Sequence, residues 1–169
     1  MRSPHMAPST LVPFEQVVQQ HGAVVLRVCR AVAGPADADD AWSETFLSAL
    51  RAYPTLRPES NVRGWLVTIA HHRSIDLVRR RRSVPLAPHD DRFESPTDGT
   101  GPGRLDDRLV ASLLELTERQ RSAVALRYLG DLDYRDVAEL LGCSVDAARR
   151  SAADGIARLR QHLPEGSPT

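Results

Sequence analysis

The sequence predicts an all-α protein of two small helical domains joined by a flexible linker, the C-terminal one a helix-turn-helix domain. Three observations predict it. Apolar residues recur at helical spacing through most of the 169-residue chain. Those residues, 41% of the chain with only 5% aromatic, are mainly Ala, Val and Leu, which suits closely packed helices. A stretch near the middle, rich in Pro, Gly, Asp and Ser and without periodicity, divides the chain in two.

Taken in order, residues 1–12 are expected to be a disordered start. The opening MRSPHM reads as a cloning remnant or as a lead-in to an alternative start at Met6. The first domain is expected over residues 13–82. Phe14, Val17, Val18, Val24, Val25, Val28 and Val32 give its first helix, with the rhythm interrupted at Gly22. AGPAD ends that helix, and Asp37 or a neighbour caps the next, DADDAWSETFLSALRAY, which Pro54 stops. Asn61 caps a third helix, NVRGWLVTIAHHRSIDLVRRRR, with Trp65, Leu66, Ile69, Ala70 and Leu77 along its inner face. Its last turn is four consecutive arginines, Arg79 to Arg82.

Residues 83–103 cannot bury enough apolar surface to order themselves and read as the linker. The second domain is expected over residues 104–163, followed by a short tail, 164–169. RLDDRLVASLLEL is a short amphipathic helix. Thr117-Glu118-Arg119-Gln120 matches a capping box, opening a helix with Val124, Leu126, Tyr128 and Leu129 that Gly130 closes. Asp133 caps a helix through Leu141, Gly142-Cys143-Ser144 makes a tight turn, and Ser144 caps a second helix. Val137, Leu140 and Leu141 pack inward, Gly142 supplies a positive φ, and Val145, Ala148 and Leu159 anchor the second helix. That is a helix-turn-helix pattern, much of which a plain helical hairpin shares.

Composition narrows the function classes. All 22 basic residues are Arg, with Lys absent, and 22 acidic residues balance them. A uniformly cationic protein is excluded, whereas cationic patches are not, and patches govern nucleic-acid binding. Cys29 and Cys143 are far apart and outside any Cys-x-x-Cys pair, so they read as two buried, inert thiols in a reducing compartment. No apolar run approaches the roughly 20 residues of a membrane span, and no signal-peptide core follows the start, so a cytoplasmic protein without membrane insertion is expected. No nucleophile comes with a base and an orienting group, and there is no Gly-rich phosphate loop. Adjacent on a helix, His71 and His72 point in different directions and cannot share a metal. No catalytic residue, metal or cofactor is expected, and the chain is not expected to be an enzyme.

Three motifs in order resemble the extracytoplasmic-function group of bacterial sigma factors, over nearly the whole chain from Phe14 to Leu163. DADDAWSETFLSAL is similar to the family's acidic helix, which grips the coiled coil of the largest polymerase subunits. The resemblance gives Asp37, Asp39, Asp40 and Glu44 that role, with Phe46 and Leu47 packing behind. Ser43 stands where Gln is usual. A stripe of carboxylates beside apolar anchors suits a basic helical partner; the same carboxylates also complement a helix dipole.

The second motif is the Asn61 to Arg82 helix, similar to the segment that melts the promoter and reads its minus-ten element. Trp65, Leu66, Ile69, Ala70, Asp76 and Arg79 match, and His72 replaces the usual Asn near a flipped base. His can still stack and donate a hydrogen bond. Trp65 suits the core better than base stacking, and Asp76 suits an ion pair with a nearby Arg. Asn61, Arg63, Trp65, His72, Arg73, Arg79 and Arg80 are the implied minus-ten residues. Arg63, Arg73 and Arg79 to Arg82 suit phosphates, whose neutralisation releases counterions, although four consecutive residues circle the helix and cannot all touch DNA at once. A cationic helix C-terminus is the plain alternative.

The third, LTERQRSAVALRYLGDLDYRDVAELLGCSV, resembles the minus-thirty-five-binding domain. Its implied DNA residues are Arg135, Ser144, Asp146, Ala147, Arg149 and Arg150. From Asp146 to Gly155 the sequence departs from the family's usual Gly-Thr-Val-Lys-Ser-Arg. Arg149 keeps a cation and Arg150 adds one, Ser151 and Asp154 lose two, and Gly155 in mid-helix costs roughly 1 kcal/mol relative to Ala. The resemblance implies a sigma factor that binds core RNA polymerase and promoter DNA, directs initiation, and is held by an anti-sigma factor. Two rivals are a dimeric helix-turn-helix regulator of duplex DNA and a sigma-derived polymerase-interaction protein that does not read a minus-thirty-five element.

Overall fold

The structure, a computed structural model, describes residues 11–83 and 105–163. The N-terminal residues 1–10, nearly all of the expected linker and the tail lie outside the described residues. Among the described residues every regular element is helical. Helices α1 (Phe14–Ala33), α2 (Ala38–Ala52) and α3 (Val62–Ser83) form an N-terminal unit. Helices α4 (Asp107–Leu114), α5 (Glu118–Val124), α6 (Tyr134–Leu141) and α7 (Val145–His162) form a C-terminal one.

In the N-terminal unit α1 lies on both α2 and α3, burying Val17, Val25, Val28 and Val32. Each such side chain contributes about 1.5–3 kcal/mol when fully removed from water. The apolar rhythm breaks at Gly22, yet the helix continues through it. Trp42 of α2 donates its indole N–H to the Gly22 carbonyl at 3.0 Å, and its ring would lie 3.6 Å from a Cβ there. The break therefore marks the seat of a large ring. Asp37 occupies the position before α2, and its carbonyl accepts the Ala41 N–H at 2.9 Å, but its carboxylate does not cap the helix. That carboxylate turns to Arg81 at 2.7 Å instead. Pro54 sits in a short 3₁₀ turn, Tyr53–Thr55, that ends this segment. Asn61 caps α3 through its Oδ1, which accepts the Gly64 N–H at 3.1 Å.

Helix α3 buries more than the one face its apolar spacing suggests. Leu66 and Ala70 are buried as expected, but so are Gly64, Val67, His71 and Ser74. Gly64, Val67 and His71 meet Leu132, Gly130 and Ser122 of the C-terminal unit, so α3 is a shared wall between the two halves. Both halves are joined by more than a tether: α1 also packs on α4 and α5.

Local signals account well for the C-terminal unit. Asp106 caps α4 through the Arg108 N–H. Thr117 and Gln120 make the reciprocal capping box of α5. Asp133 accepts from the Asp136 N–H and Ser144 from the Ala147 N–H at 3.1 Å, capping α6 and α7. Gly142 between them has φ +64°, the left-handed angle the turn requires. Val137 is buried, as are Ala148 and Leu159 on α7, with Leu140, Leu141 and Val145 packed beside them.

Two glycines behave differently from expectation. The helix opened by Thr117 widens into a π turn at Ala125–Leu129 before Gly130. Gly130 has φ −84°, and the left-handed residue is Asp131 at +56°. Gly130 is small because it touches the other half: an added Cβ would lie 2.6 Å from Val67 Cγ1 of α3. Gly155 lies buried where α7 crosses α5, and a Cβ there would meet Val124 Cγ2 at 2.7 Å. Close helix approach, rather than an altered DNA contact, explains Gly155.

Candidate functional site

The exposed side of α2 combines charge with apolar surface. Asp40, Glu44 and Leu47 recur at i, i+4 and i+7 and so share one stripe. Asp39 and Asp40 are exposed in its first turn, and Leu47 and Leu50 stand 56% and 50% exposed further along. Leu50 was not singled out from the sequence, although it lies three residues beyond Leu47 on the same face. Phe46 is buried instead, edge-on to Phe14 with centroids 6.3 Å apart and 4.6 Å from Trp42. It supports the stripe from below.

At the far end of α3 the arginine block faces this stripe. Arg81 pairs with the buried Asp37 at 2.7 Å, and Arg80 with Glu44 at 3.3 Å. Arg79 and Arg82 both reach Glu118 of α5, at 3.4 and 3.9 Å. All four cations thus have carboxylate partners from the chain itself. The pairs of Arg79, Arg80 and Arg82 are exposed and worth only about 0–1 kcal/mol each, whereas Asp37 is buried. At those three a phosphate can therefore replace a carboxylate at little cost.

Among the other α3 residues, Arg63 is paired with Asp131 of the C-terminal unit. Arg73 lies 3.8 Å from Asp76, the ion pair expected for that Asp. Trp65 is half-buried, its ring 6.5 Å from Tyr53. His72 is exposed and His71 is buried, consistent with the roughly 100° between neighbours on a helix. Ring nitrogen Nε2 of His71 shares a 3.0 Å hydrogen bond with Ser122 Oγ across the junction, and Nδ1 has no hydrogen-bond partner among the described residues. Beside this contact a cleft of about 630 Å³ opens between the units, lined by His72, Arg73, Arg79, Glu118, Arg119 and Leu140.

Burial, with help from His72 and Arg79 and against the opposing pull of Glu118, lowers the His71 pKa from 6.5 to about 4. The folded chain thus holds His71 neutral, while the unfolded chain binds a proton below 6.5. Between these values the unfolded state carries more protons, so stability falls as pH drops from 6.5 towards about 4. The difference amounts to roughly 3 kcal/mol at most. Urea denaturation across that window is expected to show this loss, and His71→Asn to flatten it.

In the helix-turn-helix, Ser144 is the α7 cap, and Asp146, Arg149 and Arg150 are exposed in the first turns of that helix beside the half-buried Ala147. Arg135 is exposed on α6. Two residues missed in the sequence join this group: Tyr134 and Arg127, whose guanidinium lies 5.3 Å from the Tyr134 ring centre. Among the described residues no cluster of His, Cys, Asp or Glu could hold a metal ion. Cys29 is buried and its thiol pKa is raised by that burial to about 11, which leaves it unreactive, while Cys143 is only half-buried. No helix among the described residues is long and apolar enough to cross a membrane.

Comparison with known proteins finds one family match on each side of the chain's middle. Residues 17–84 match the model of sigma-70 region 2, and residues 106–159 that of sigma-70 region 4. The chain is 38% identical over 119 residues to the ECF RNA polymerase sigma factor SigC of Mycobacterium tuberculosis, covering 69% of this chain and 64% of that one. It is 30% identical to the RNA polymerase sigma factor CarQ of Myxococcus xanthus, covering 90% of both. Its fold is similar to that of the sigma factor RpoE of Bartonella quintana, solved with the anti-sigma factor NepR. The TM-score there is 0.69 at 21% identity, covering 90% of this chain and 97% of that one.

Proposed function

Since the chain belongs to the extracytoplasmic-function group of the sigma-70 family, we propose that it binds core RNA polymerase and directs it to promoters. The observation that carries this reading is the adjacency, in one unit, of the Asp39–Leu50 stripe of α2 and the cationic end of α3. The stripe suits a basic helical surface of the polymerase, with Asp39, Asp40 and Leu47 outermost and Phe46 holding the helix in place. The arginine end, with His72 and Arg73 beside it, suits the phosphates and bases of a separated minus-ten strand. Trp65 belongs mainly to the packing that shapes this surface. The polymerase supplies the chemistry, and this chain contributes recognition.

Upstream, α7 fits the major groove with Arg149 and Arg150 leading, and Arg135 suits a phosphate. Minus-ten and minus-thirty-five elements lie about 25 base pairs apart, or roughly 85 Å of duplex. An 18-residue α7 is only about 27 Å long. Packed units cannot span that distance, so the His71–Ser122 junction parts when both elements are bound. A cytoplasmic anti-sigma factor that holds the units together is the regulator this geometry favours, a reading supported by the likeness to a fold solved with such a partner.

Transcription with purified core polymerase tests the proposal. Added protein is expected to give discrete promoter-specific start sites. Polymerase binding without specific initiation would favour an interaction protein, and duplex binding without polymerase a conventional regulator.

A further inference from the structure

Resting on the sigma-factor reading above, we infer that Tyr134 is a positioning residue for upstream promoter reading: its ring holds the Arg149 guanidinium ready to meet a base edge. Arg149 is the fifth residue of α7 and is exposed. Its guanidinium carbon lies 5.5 Å from the centre of the Tyr134 ring, within range of a cation–π contact. A guanidinium held over a ring keeps N–H groups available, and it is with those groups that Arg reads guanine O6 and N7. Among the described residues no carboxylate is paired with Arg149, so the ring is the contact that orients it.

The ring is itself held. Tyr134 opens α6, directly after the Asp133 cap, and is half-buried. Arg127 approaches the same ring at 5.3 Å. Its guanidinium donates to the Leu132 carbonyl at 3.4 Å and lies 3.8 Å from Asp131. The order Asp131, Arg127, Tyr134, Arg149 thus runs from the π turn to the exposed start of α7. A long flexible side chain normally loses rotamer freedom on binding; one already stacked loses less. An aromatic ring at residue 134 therefore sharpens base preference rather than adding bulk affinity.

The test uses the full chain with core polymerase and a promoter library randomised through the upstream element. Arg149→Ala is expected to erase the preference at one or two base pairs, with about a five- to tenfold loss of discrimination. Tyr134→Leu is expected to erase the same preference, Tyr134→Phe to keep it, and the Leu/Ala double variant to match Arg149→Ala alone. Core-polymerase affinity and thermal melting of the Leu and Phe variants should agree. Retained preference in Tyr134→Leu, a loss at different base pairs, loss in Tyr134→Phe, or additive losses in the double variant would overturn the inference. An unsubstituted chain that initiates with no upstream preference removes the minus-thirty-five reading and this inference with it.

Discussion

Replacing Arg79, Arg80, Arg81 and Arg82 together by Gln is expected to weaken capture of a premelted minus-ten strand by the polymerase complex roughly thirty- to a hundredfold. The magnitude follows from geometry. Four consecutive helical residues circle the axis, so only two or three can reach one strand. Each lost phosphate contact lowers the salt dependence of single-strand binding by about 0.7 in log–log slope. A fall of about 1.4 to 2.1 is therefore expected, and a fall near 2.8 would mean that all four engage. Stability should change little, because the block's pairs with Glu44 and Glu118 are solvent-exposed. Arg81 is the exception, since its partner Asp37 is buried and would lose its cation. Arg81→Gln alone, measured for melting temperature and strand capture, separates the two effects. Unaltered strand capture and salt slope in the quadruple variant would leave the block only a helix terminus.

The structure gives this block a second role. In the packed form its cations rest on the chain's own carboxylates, two of them on Glu118 of the other unit. On the proposed reading a DNA strand and the C-terminal unit would compete for the same side chains, which would link parting of the units to promoter capture. The buried His71–Ser122 contact and the close approach of Gly130 to Val67 are the polar and apolar parts, respectively, of the same junction.

Short-range chemistry was the legible part of this protein. The Thr117–Gln120 box, the Asp133 and Ser144 caps and the Gly142 turn depend on residues within four of one another, and each stands in the structure as its spacing implies. Helix α3 shows where that legibility ends. Its second buried face, with Gly64, Val67 and His71, is covered by the other unit. Gly64 and polar His71 hide that face from any apolar periodicity. Gly130 read as a helix stop for the same reason, when its smallness serves a contact 63 positions away in sequence, from 67 to 130.

The candidate sites follow the same division. The acidic run and the arginine block are contiguous and could be read directly. Their mutual pairing could not, because Arg80 meets Glu44 across 36 positions. Phe46 lies behind the carboxylates as its place in the motif implies, whereas Leu47, expected beside it, stands exposed and is joined by Leu50. Tyr134 carried no signal beyond an aromatic at a helix start until the fold set Arg127 and Arg149 against it.

The central claim is that the carboxylate stripe of α2 is the handle by which the polymerase takes hold of this chain. Its most direct measurement is the affinity of purified core polymerase for Asp40→Arg/Glu44→Arg at physiological salt. Glu44→Gln serves as a control for loss of the Arg80 pair. With helicity and melting temperature retained, the double reversal is expected to weaken association at least about a hundredfold, near 2.7 kcal/mol, and Glu44→Gln only slightly. A folded double variant that binds the polymerase as tightly as the unsubstituted chain would contradict the account at its root.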